Sequence, residues 1–449
     1  MMSNYKAISE YIIKEARNNG ADQVDVIIVN SINANITVRL GEIEELKQSN
    51  PKSLGIRVFK NQRKALTYTS DFREESLRKL VKKTVEIATV TGFDEYSGLP
   101  EKNLLGIANV NLPQFDQNIA SVSTDKKIRI LKDMEKTGMD KDPLITNSDG
   151  AGWNDSAAHV VLANSEGFYG EEDYTSVNLS LSLLAEKDGV KQTDYWSSAS
   201  RYLDRLDSIE KIASIAAHRT LRKLGGRKPK TQKVPVVFDP VVARDFLRII
   251  SQTVVGDSIY NKNSFLVDKL NEPIAVKNMT IIDDGLLKYG LGSRRFDDEG
   301  LPSRKNIVIG KGVLKTYLCD CYSARKLGFE PTGSATRGVT SNPSSGTSNF
   351  YMQNGTIPPE EIIASVKNGL YLTSVDWVGI NYVTGDYSRG ATGIWIENGK
   401  LTYPVQEFTV AGNMLDMLKN ITMIGNDLEF RGSIAAPTFK IKEMTISGS

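Results

Sequence analysis

The chain has 449 residues, of which 40% are hydrophobic and 24% are charged, a balance typical of a soluble globular protein. Lys and Arg (56) nearly equal Asp and Glu (54), and the formal net charge of +2 gives no electrostatic reason to expect binding to nucleic acid or to an anionic membrane. Charges interrupt the first twenty residues, and no apolar run approaches the ~20 residues that span a bilayer, so a cytoplasmic protein is expected.

The first half of the chain mixes helix and strand patterns. Apolar residues recur at helical spacing before Gly20, and the segments that follow alternate apolar and polar residues, which predicts an antiparallel meander. Asp71 and Glu74 have the spacing of a capping box, which predicts the start of a second helix at Asp71. Helices are predicted at about 7–19, 71–88, 124–136 and 207–224, and strands at about 31–40, 54–58, 66–68 and 143–199.

A short basic segment divides two parts of different character. Residues 226–233 contain Pro229 and are predicted to be a linker. They would join an N-terminal α+β domain, residues 1–225, to a C-terminal β-rich domain, residues 234–449. Two domains also fit the length, which is about three times that of an average domain.

The second half restarts with a strong helix signal. Asp239 before Pro240 is typical of an N-cap followed by the first helical residue. Hairpin turns are predicted at 310–312 and at Asn398-Gly399. Runs of strands with separate helices, rather than regular alternation, predict an α+β fold of two domains, with antiparallel sheets and flanking helices. Two further helices are predicted at 359–368 and 413–420.

Histidine and cysteine are scarce. The two histidines, His159 and His218, are far apart in sequence, so neither a zinc motif nor a Ser-His-Asp site is expected. Cys319 and Cys321 are too few for a disulfide framework or a structural zinc site. Both are predicted to be plain buried or half-buried thiols.

Two acidic clusters and one glycine-rich segment have alternative interpretations. Asp283-Asp284 and residues 297–299 could bind a hard cation, but the glycines beside them favour solvated acids in turns. The segment GLGSRR, residues 290–295, could hold a phosphate or a peptide carboxylate, although a plain β-turn is favoured.

Several stretches together resemble the TldD/PmbA family, in family order, from about residue 20 to the C-terminus. The resemblance implies a TldD/PmbA-like fold. It also implies one of two branches: the TldD branch carries a His-Glu-x-x-x-His helix that binds zinc, and the PmbA branch, also called TldE, lacks it. The two branches pair into a heterodimeric metallopeptidase that trims unfolded or leader-bearing peptides. The stretches are LGIRVFKNQRKALTYTSDF (54–72), NSFLVDKLNEP (263–273), EPTGSATRG (330–338), GTSNFYMQNG (346–355) and GIWIENGKLTYPVQEFTVAGNMLDMLKNI (393–421).

The helix that corresponds to the zinc motif is predicted at 241–258. Its two histidine positions fall on Leu247 and Gln252, and its glutamate position falls on Arg248. None of these side chains is a good zinc ligand or a general base at neutral pH. The resemblance therefore implies the PmbA/TldE branch, with no catalytic residue, no metal site and no cofactor in this chain.

The resemblance also implies a peptide-facing region near the cleft of the family. Ser348, Asn349 and Phe350 are candidates for contact with an extended peptide, together with Arg294 and Arg295. A position of Phe350 in the core is an equally good interpretation.

Three functions are open. The first is a partner subunit for a zinc-bearing, TldD-like paralogue that acts on a peptide substrate, with a homodimer expected when the chain is isolated. The second is a stand-alone regulatory protein, since the family was earlier described as a modulator of DNA gyrase. The third is an independent hydrolase with unrecognised residues. No membrane contact and no direct nucleic-acid contact are expected.

Overall fold

A computed structural model of the chain describes residues 4–448. The N-terminal half of this structure is one large antiparallel sheet with helices on one face. Two 3₁₀ turns, Lys102–Leu104 and Leu203–Arg205, lie in its connections. Its elements are α1 (Tyr5–Asn18), β1 (Gln23–Arg39), β2 (Glu42–Ser49), β3 (Lys52–Lys60), β4 (Arg63–Thr69), α2 (Glu74–Val90), α3 (Gln117–Ser121), α4 (Thr124–Met139), β5 (Ile145–Asn164), β6 (Tyr169–Lys187), β7 (Val190–Ser200) and α5 (Ile209–Leu221).

The first sheet has the strand order β4-β3-β1-β5-β6-β7, and β2 pairs with β1. Helices α1 and α2 pack on β1 and β3 through a core that contains Ile12, Val26 and Val81. Helices α4 and α5 pack on β5 and β6 through a second core that contains Leu131 and Leu181. The long alternating strands expose one apolar face, and the amphipathic helices cover it.

The C-terminal half contains a second large sheet and a smaller one. Its long first helix, α6, follows the first strand directly, as the Asp-Pro signal predicts. Its elements are β8 (Gln232–Phe238), α6 (Pro240–Thr253), α7 (Gly256–Tyr260), β9 (Ile281–Asp284), β10 (Lys305–Gly310), β11 (Val313–Leu314), α8 (Cys321–Leu327), β12 (Ala335–Thr336), β13 (Ser344–Ser345), β14 (Phe350–Met352), α9 (Pro359–Ala364), β15 (Asn368–Val375), β16 (Asp386–Glu397), β17 (Lys400–Asn413), α10 (Met414–Lys419), β18 (Ile421–Ile424), β19 (Ile434–Ala435) and β20 (Phe439–Ser447).

The second large sheet has the order β17-β16-β15-β8-β20-β18 and closes on itself, because β17 also pairs with β20. Strands β8 and β15 are parallel, whereas the other pairs in this sheet are antiparallel. Three aromatic rings join α6 to this sheet: Phe238 stacks on Phe439 at 4.6 Å between ring centroids, and Phe246 lies 5.3 Å from Phe439. This apolar contact fixes the position of α6.

The predicted fold class, α+β with antiparallel sheets and flanking helices, is confirmed. Both predicted hairpins form, and Asn398-Gly399 adopts two positive φ angles of 48° and 76°, as a type I′ turn requires. Strand β8 begins at Gln232, within the predicted linker. None of the described helices is long and apolar enough to cross a bilayer.

Three local predictions are wrong. Asp71 does not cap α2, because Arg73 occupies the N-cap position and the Asp71 carboxylate accepts hydrogen bonds from Arg73 and Ser76 instead. The helix predicted at 359–368 ends at Ala364, since the chain enters β15 at Asn368. The helix predicted at 241–258 breaks after Thr253 into α6 and α7.

A buried ionic cluster joins the two halves of the chain. Asp25 on β1 lies between Arg57 on β3, at 2.5 Å, and Arg337 from the loop after β12, at 2.8 Å. The side chains are 3%, 6% and 1% exposed, respectively. Burial alone would raise the pKa of Asp25, but the two guanidinium groups outweigh it and lower that pKa. The carboxylate is therefore charged and is the shared counter-ion of two buried guanidinium groups.

Candidate functional site

The motif helix α6 begins as its sequence predicts. The Asp239 carboxylate accepts a hydrogen bond from the Val241 amide at 2.9 Å, and Pro240 is the first helical residue. The Tyr371 hydroxyl donates to the other Asp239 oxygen at 3.0 Å. The N-terminal end of α6 is thus held firmly against β15.

The three motif positions on α6 point in different directions. Leu247 is fully buried in the large C-terminal core. Arg248 pairs with Asp245 at 3.4 Å and lies 5.5 Å from the centre of the Trp377 ring. Gln252 is exposed. Leu247 therefore faces the core while Gln252 faces solvent, and the two side chains do not converge in this structure.

These positions do not fit a metal. A leucine has no donor atom, and the permanent charge of Arg248 would repel a cation. Within residues 4–448, no group of three or more His, Cys, Asp or Glu side chains is arranged to hold a metal ion.

The loop before β14 is held by buried polar contacts. Ser348 donates its amide and its hydroxyl to Asp283, at 2.7 and 3.0 Å. The side-chain Nδ2 of Asn349 donates to the Asp284 backbone carbonyl at 2.6 Å, and its Oδ1 accepts from the Gly292 backbone amide at 2.9 Å. Phe350 pairs with β9 and β19 as part of the core. Because Asn349 and Phe350 have no exposed surface, they could touch a peptide only after a rearrangement.

The two arginine candidates form ion pairs within the chain. Arg294 pairs with Asp298 at 2.9 Å and also donates to the Ala335 carbonyl. Arg295 pairs with Glu172 on β6 at 2.9 Å, and its side chain is 37% exposed. Of the five predicted peptide-facing residues, Arg295 is therefore the most accessible, and peptide contact by this set stays a prediction.

The GLGSRR segment turns at residues 290–293 through a hydrogen bond from the Ser293 amide to the Gly290 carbonyl. The carbonyl groups of this turn, rather than its amides, point to a charged side chain. The Arg201 guanidinium donates hydrogen bonds to the carbonyls of Gly290, Leu291 and Ser293. This arrangement binds an internal cation and gives no cradle for an anion.

The prediction that the two acidic clusters are solvated turn acids is wrong. Asp283, Asp284, Asp297 and Glu299 are all buried. Their carboxylates accept hydrogen bonds from groups of the chain itself. The Asp297 carboxylate, for example, accepts from three backbone amides, those of Glu299, Leu301 and Ala335. The neighbouring glycines indicated turns correctly, but they gave no information on what packs over those turns.

Burial raises the pKa of Asp283 to about 7, although Ser348 and Arg294 act in the opposite direction. Burial, with the nearby Asp320 and Asp297, raises the pKa of Glu299 to about 7. A carboxyl group whose pKa is higher in the folded state stabilises the fold fully below its unfolded pKa, near 4, and this stability is lost as the pH rises through about 7.

We expect Asp283→Asn to flatten this pH dependence. Between about pH 4 and 7, the free energy of unfolding of the wild type should fall relative to that of the variant, by at most about 1.4 kcal/mol per pH unit. Urea denaturation at several pH values measures the difference. Asp188→Asn, at an exposed turn, is the control. Parallel profiles for wild type and Asp283→Asn would contradict the expectation.

The cysteines and histidines give no nucleophilic site. Cys319 and Cys321 are free and buried, as predicted, and burial raises the pKa of Cys319 to about 12. A thiol with such a pKa is not a nucleophile at neutral pH. His159 stacks on Tyr5 and bonds to Asp173 at 2.8 Å. His218 lies in the last turn of α5, where burial lowers its pKa.

A cavity of about 180 Å³ lies beside the first turns of α6, and sequence reasoning missed it. Arg244 on α6 and Arg431 line this cavity and also a smaller one of about 20 Å³, which Trp196 on β7 adjoins. The sequence offered one indication of a basic site here, because Arg244 and Arg248 are one helical turn apart. Nothing in the sequence indicated that Trp196 and Arg431 would join them.

Comparison with known protein families gives three consecutive matches. Residues 24–88 match a model described as PmbA/TldA metallopeptidase domain 1, and residues 117–224 match the central domain of the same family. Residues 231–448 match the C-terminal domain. The matches cover most of the chain, in order.

The chain is 33% identical to the metalloprotease PmbA of Escherichia coli O157:H7 over 428 residues, which cover 95% of this chain and 93% of that protein. A crystal structure from Bacteroides thetaiotaomicron, described as a proposed modulator of DNA gyrase, has a TM-score of 0.92 at 29% identity, with complete coverage of both chains. TldE of Thermococcus kodakarensis has the same fold, with a TM-score of 0.89 at 22% identity and coverage of 98% and 100%.

Proposed function

Because this chain belongs to the PmbA/TldD metallopeptidase family, we propose that it is the subunit without metal in a two-subunit zinc peptidase. Its partner would be a TldD-like paralogue that carries the zinc, and the substrate would be an unfolded or leader-bearing peptide. The location would be the cytoplasm. This chain would bind and position the peptide and complete the enzyme, without cleaving alone.

The observation that carries the proposal is the motif helix. The chain keeps this helix, with its cap and its aromatic contact to the sheet. At the three motif positions it has a core leucine, an arginine and an exposed glutamine, which cannot form a zinc site together. A subunit that completes the enzyme without cleaving would keep the helix and would not require zinc ligands on it, and this chain has that combination.

Association with the paralogue is the first test. We expect the two purified proteins, mixed at micromolar concentration, to elute as one species with the mass of a one-to-one complex in light scattering. The chain alone is expected to form a homodimer, because two related chains that pair offer similar surfaces to each other. Separate elution of the two proteins would contradict the heterodimer, and a monomeric mass for the chain alone would contradict the homodimer.

A second candidate is a stand-alone regulator of DNA gyrase. The observation that favours it is the description of the Bacteroides thetaiotaomicron structure as a proposed gyrase modulator. The near-neutral charge argues against direct DNA contact. Gyrase supercoiling assays with and without the chain separate the two functions. A third possibility, an independent hydrolase, would require activity in the chain alone that survives a chelator.

A further inference from the structure

The larger and the smaller cavity beside α6 share Arg244 and Arg431 in their linings, and Trp196 lines the smaller one. All three residues carry hydrogen-bond donors that lack acceptors. The Nε atoms of Arg244 and Arg431 and the indole Nε1 of Trp196 are buried and have no hydrogen-bond partner among the described residues. Trp196 is only 8% exposed. Buried donors without acceptors are costly and rare, so several in one place indicate that something absent from the chain supplies the acceptors.

Of the two arginines that line the larger cavity, Arg244 is the one without an acidic partner among the described residues. Within the described chain, no ion pair or hydrogen bond engages its guanidinium group. Arg431, by contrast, pairs with Glu429 at 2.5 Å and stacks on Trp196 at 3.4 Å from the ring centre. Arg219, which lines the smaller cavity, pairs with Asp194 at 3.3 Å.

The two acids in the lining are already satisfied. Asp427 accepts from the amide of Thr438 at 2.9 Å and from its hydroxyl at 2.7 Å. Glu429 accepts from Arg431. The cavity therefore has free donors and a free positive charge, but its acidic oxygens have partners. A ligand that only accepts hydrogen bonds fits this lining.

The size and the walls narrow the choice of ligand. The smaller cavity, about 20 Å³, has room for about one water, whereas the larger one, about 180 Å³, can hold an ionic group and an aliphatic side chain. Ala435, Ala436 and Val241 form an apolar wall. A doubly charged phosphate would be repelled by Asp427 and Glu429, so a singly charged carboxylate is favoured.

We infer that this cavity binds the C-terminal carboxylate of a peptide chain, with Arg244 as its counter-ion. This inference rests on the proposed function, because it names the part of the peptide that the subunit holds. The carboxylate accepts from the Arg244 guanidinium, and the last side chain of the peptide lies against the alanine wall. A chain terminus is a feature of every peptide, so the site selects free ends without reading sequence.

Binding of two matched peptides to the full-length chain tests the inference. The probe is a short, unstructured, fluorescently labelled peptide that ends in alanine, prepared as the free acid and as the C-terminal amide. By fluorescence anisotropy, the free acid is expected to bind roughly tenfold or more tightly than the amide, since a charge-assisted contact to arginine is lost in the amide. A third peptide, amidated but with an internal aspartate, separates side-chain carboxylates from the terminus.

Arg244→Gln is expected to reduce binding of the free acid to the level of the amide and to leave binding of the amide unchanged. The matched control is Arg248→Gln, which removes the same charge one turn further along α6 but changes an arginine that already pairs with Asp245. The control should keep the preference for the free acid. Arg244→Gln removes no hydrogen bond or ion pair among the described residues, and the circular dichroism spectrum of the variant checks that it folds.

Equal binding of acid and amide, no measurable binding of either, or equal binding of the aspartate peptide would each overturn the inference. The measurement contains no partner subunit. Its failure would therefore leave the association test untouched, and failure of association would leave a preference for free acids standing as a property of this chain.

Discussion

Replacement of Asp25 by alanine is expected to lower the free energy of unfolding by about 3–5 kcal/mol. The substitution leaves the guanidinium groups of Arg57 and Arg337 buried beside each other without their shared counter-ion. Because Arg337 comes from the C-terminal half, the loss should also loosen the contact between the two halves. Urea denaturation, followed by both fluorescence and circular dichroism, measures the change.

Glu75→Ala is the control for this prediction. Glu75 and Lys79 lie 2.7 Å apart, but their side chains are 69% and 73% exposed, so solvent screens the pair and its loss should hardly move the unfolding midpoint. The double variant Asp25→Ala/Arg337→Met should lose less stability than the sum of the two single variants, because the second change removes one of the stranded charges. An unfolding midpoint for Asp25→Ala close to that of the control would contradict the account of the cluster.

The second large effect concerns the motif helix. Restoration of the motif by Leu247→His, Arg248→Glu and Gln252→His is expected to create no zinc site, because position 247 lies inside the C-terminal core of this chain whereas position 252 faces solvent. The change at Leu247 should also cost about 3 kcal/mol or more of stability, since it removes a fully buried apolar side chain and places an imidazole in the core. Metal content and the unfolding midpoint with and without zinc measure the two effects.

The double variant Arg248→Glu/Gln252→His separates the two causes, because it leaves the core unchanged. Its stability should stay close to that of the wild type. One zinc bound per chain in the triple variant, with a zinc-dependent rise in the unfolding midpoint, would show that α6 can rearrange to bring the ligands together. It would then contradict the description of these positions as divergent.

The sequence predicted the parts of this protein that local patterns determine. The alternation in the second half of β1 and in β6, the Asp239-Pro240 helix start and the Asn398-Gly399 turn all follow from residues that are near one another in the chain. The residue types at the three motif positions of α6 could also be read directly, because they need no tertiary information.

Contacts between distant segments could not be predicted in this way. Asp283 and Asp297 are followed within a few residues by glycines, which indicates a turn but does not show that other loops bury it. Trp196 and Arg431 are more than two hundred residues apart and meet only because β7 and the segment before β19 pack beside α6. Burial, and the pKa shifts and unpaired donors that it causes, depends on such packing.

Cleavage of an unstructured peptide should be measured with this chain, with its His-Glu-x-x-x-His paralogue and with their mixture, each with zinc and with a chelator. We expect activity in the mixture alone, and its loss with the chelator. Cleavage by this chain in the absence of the paralogue would contradict the account, and so would full activity of the paralogue without this chain.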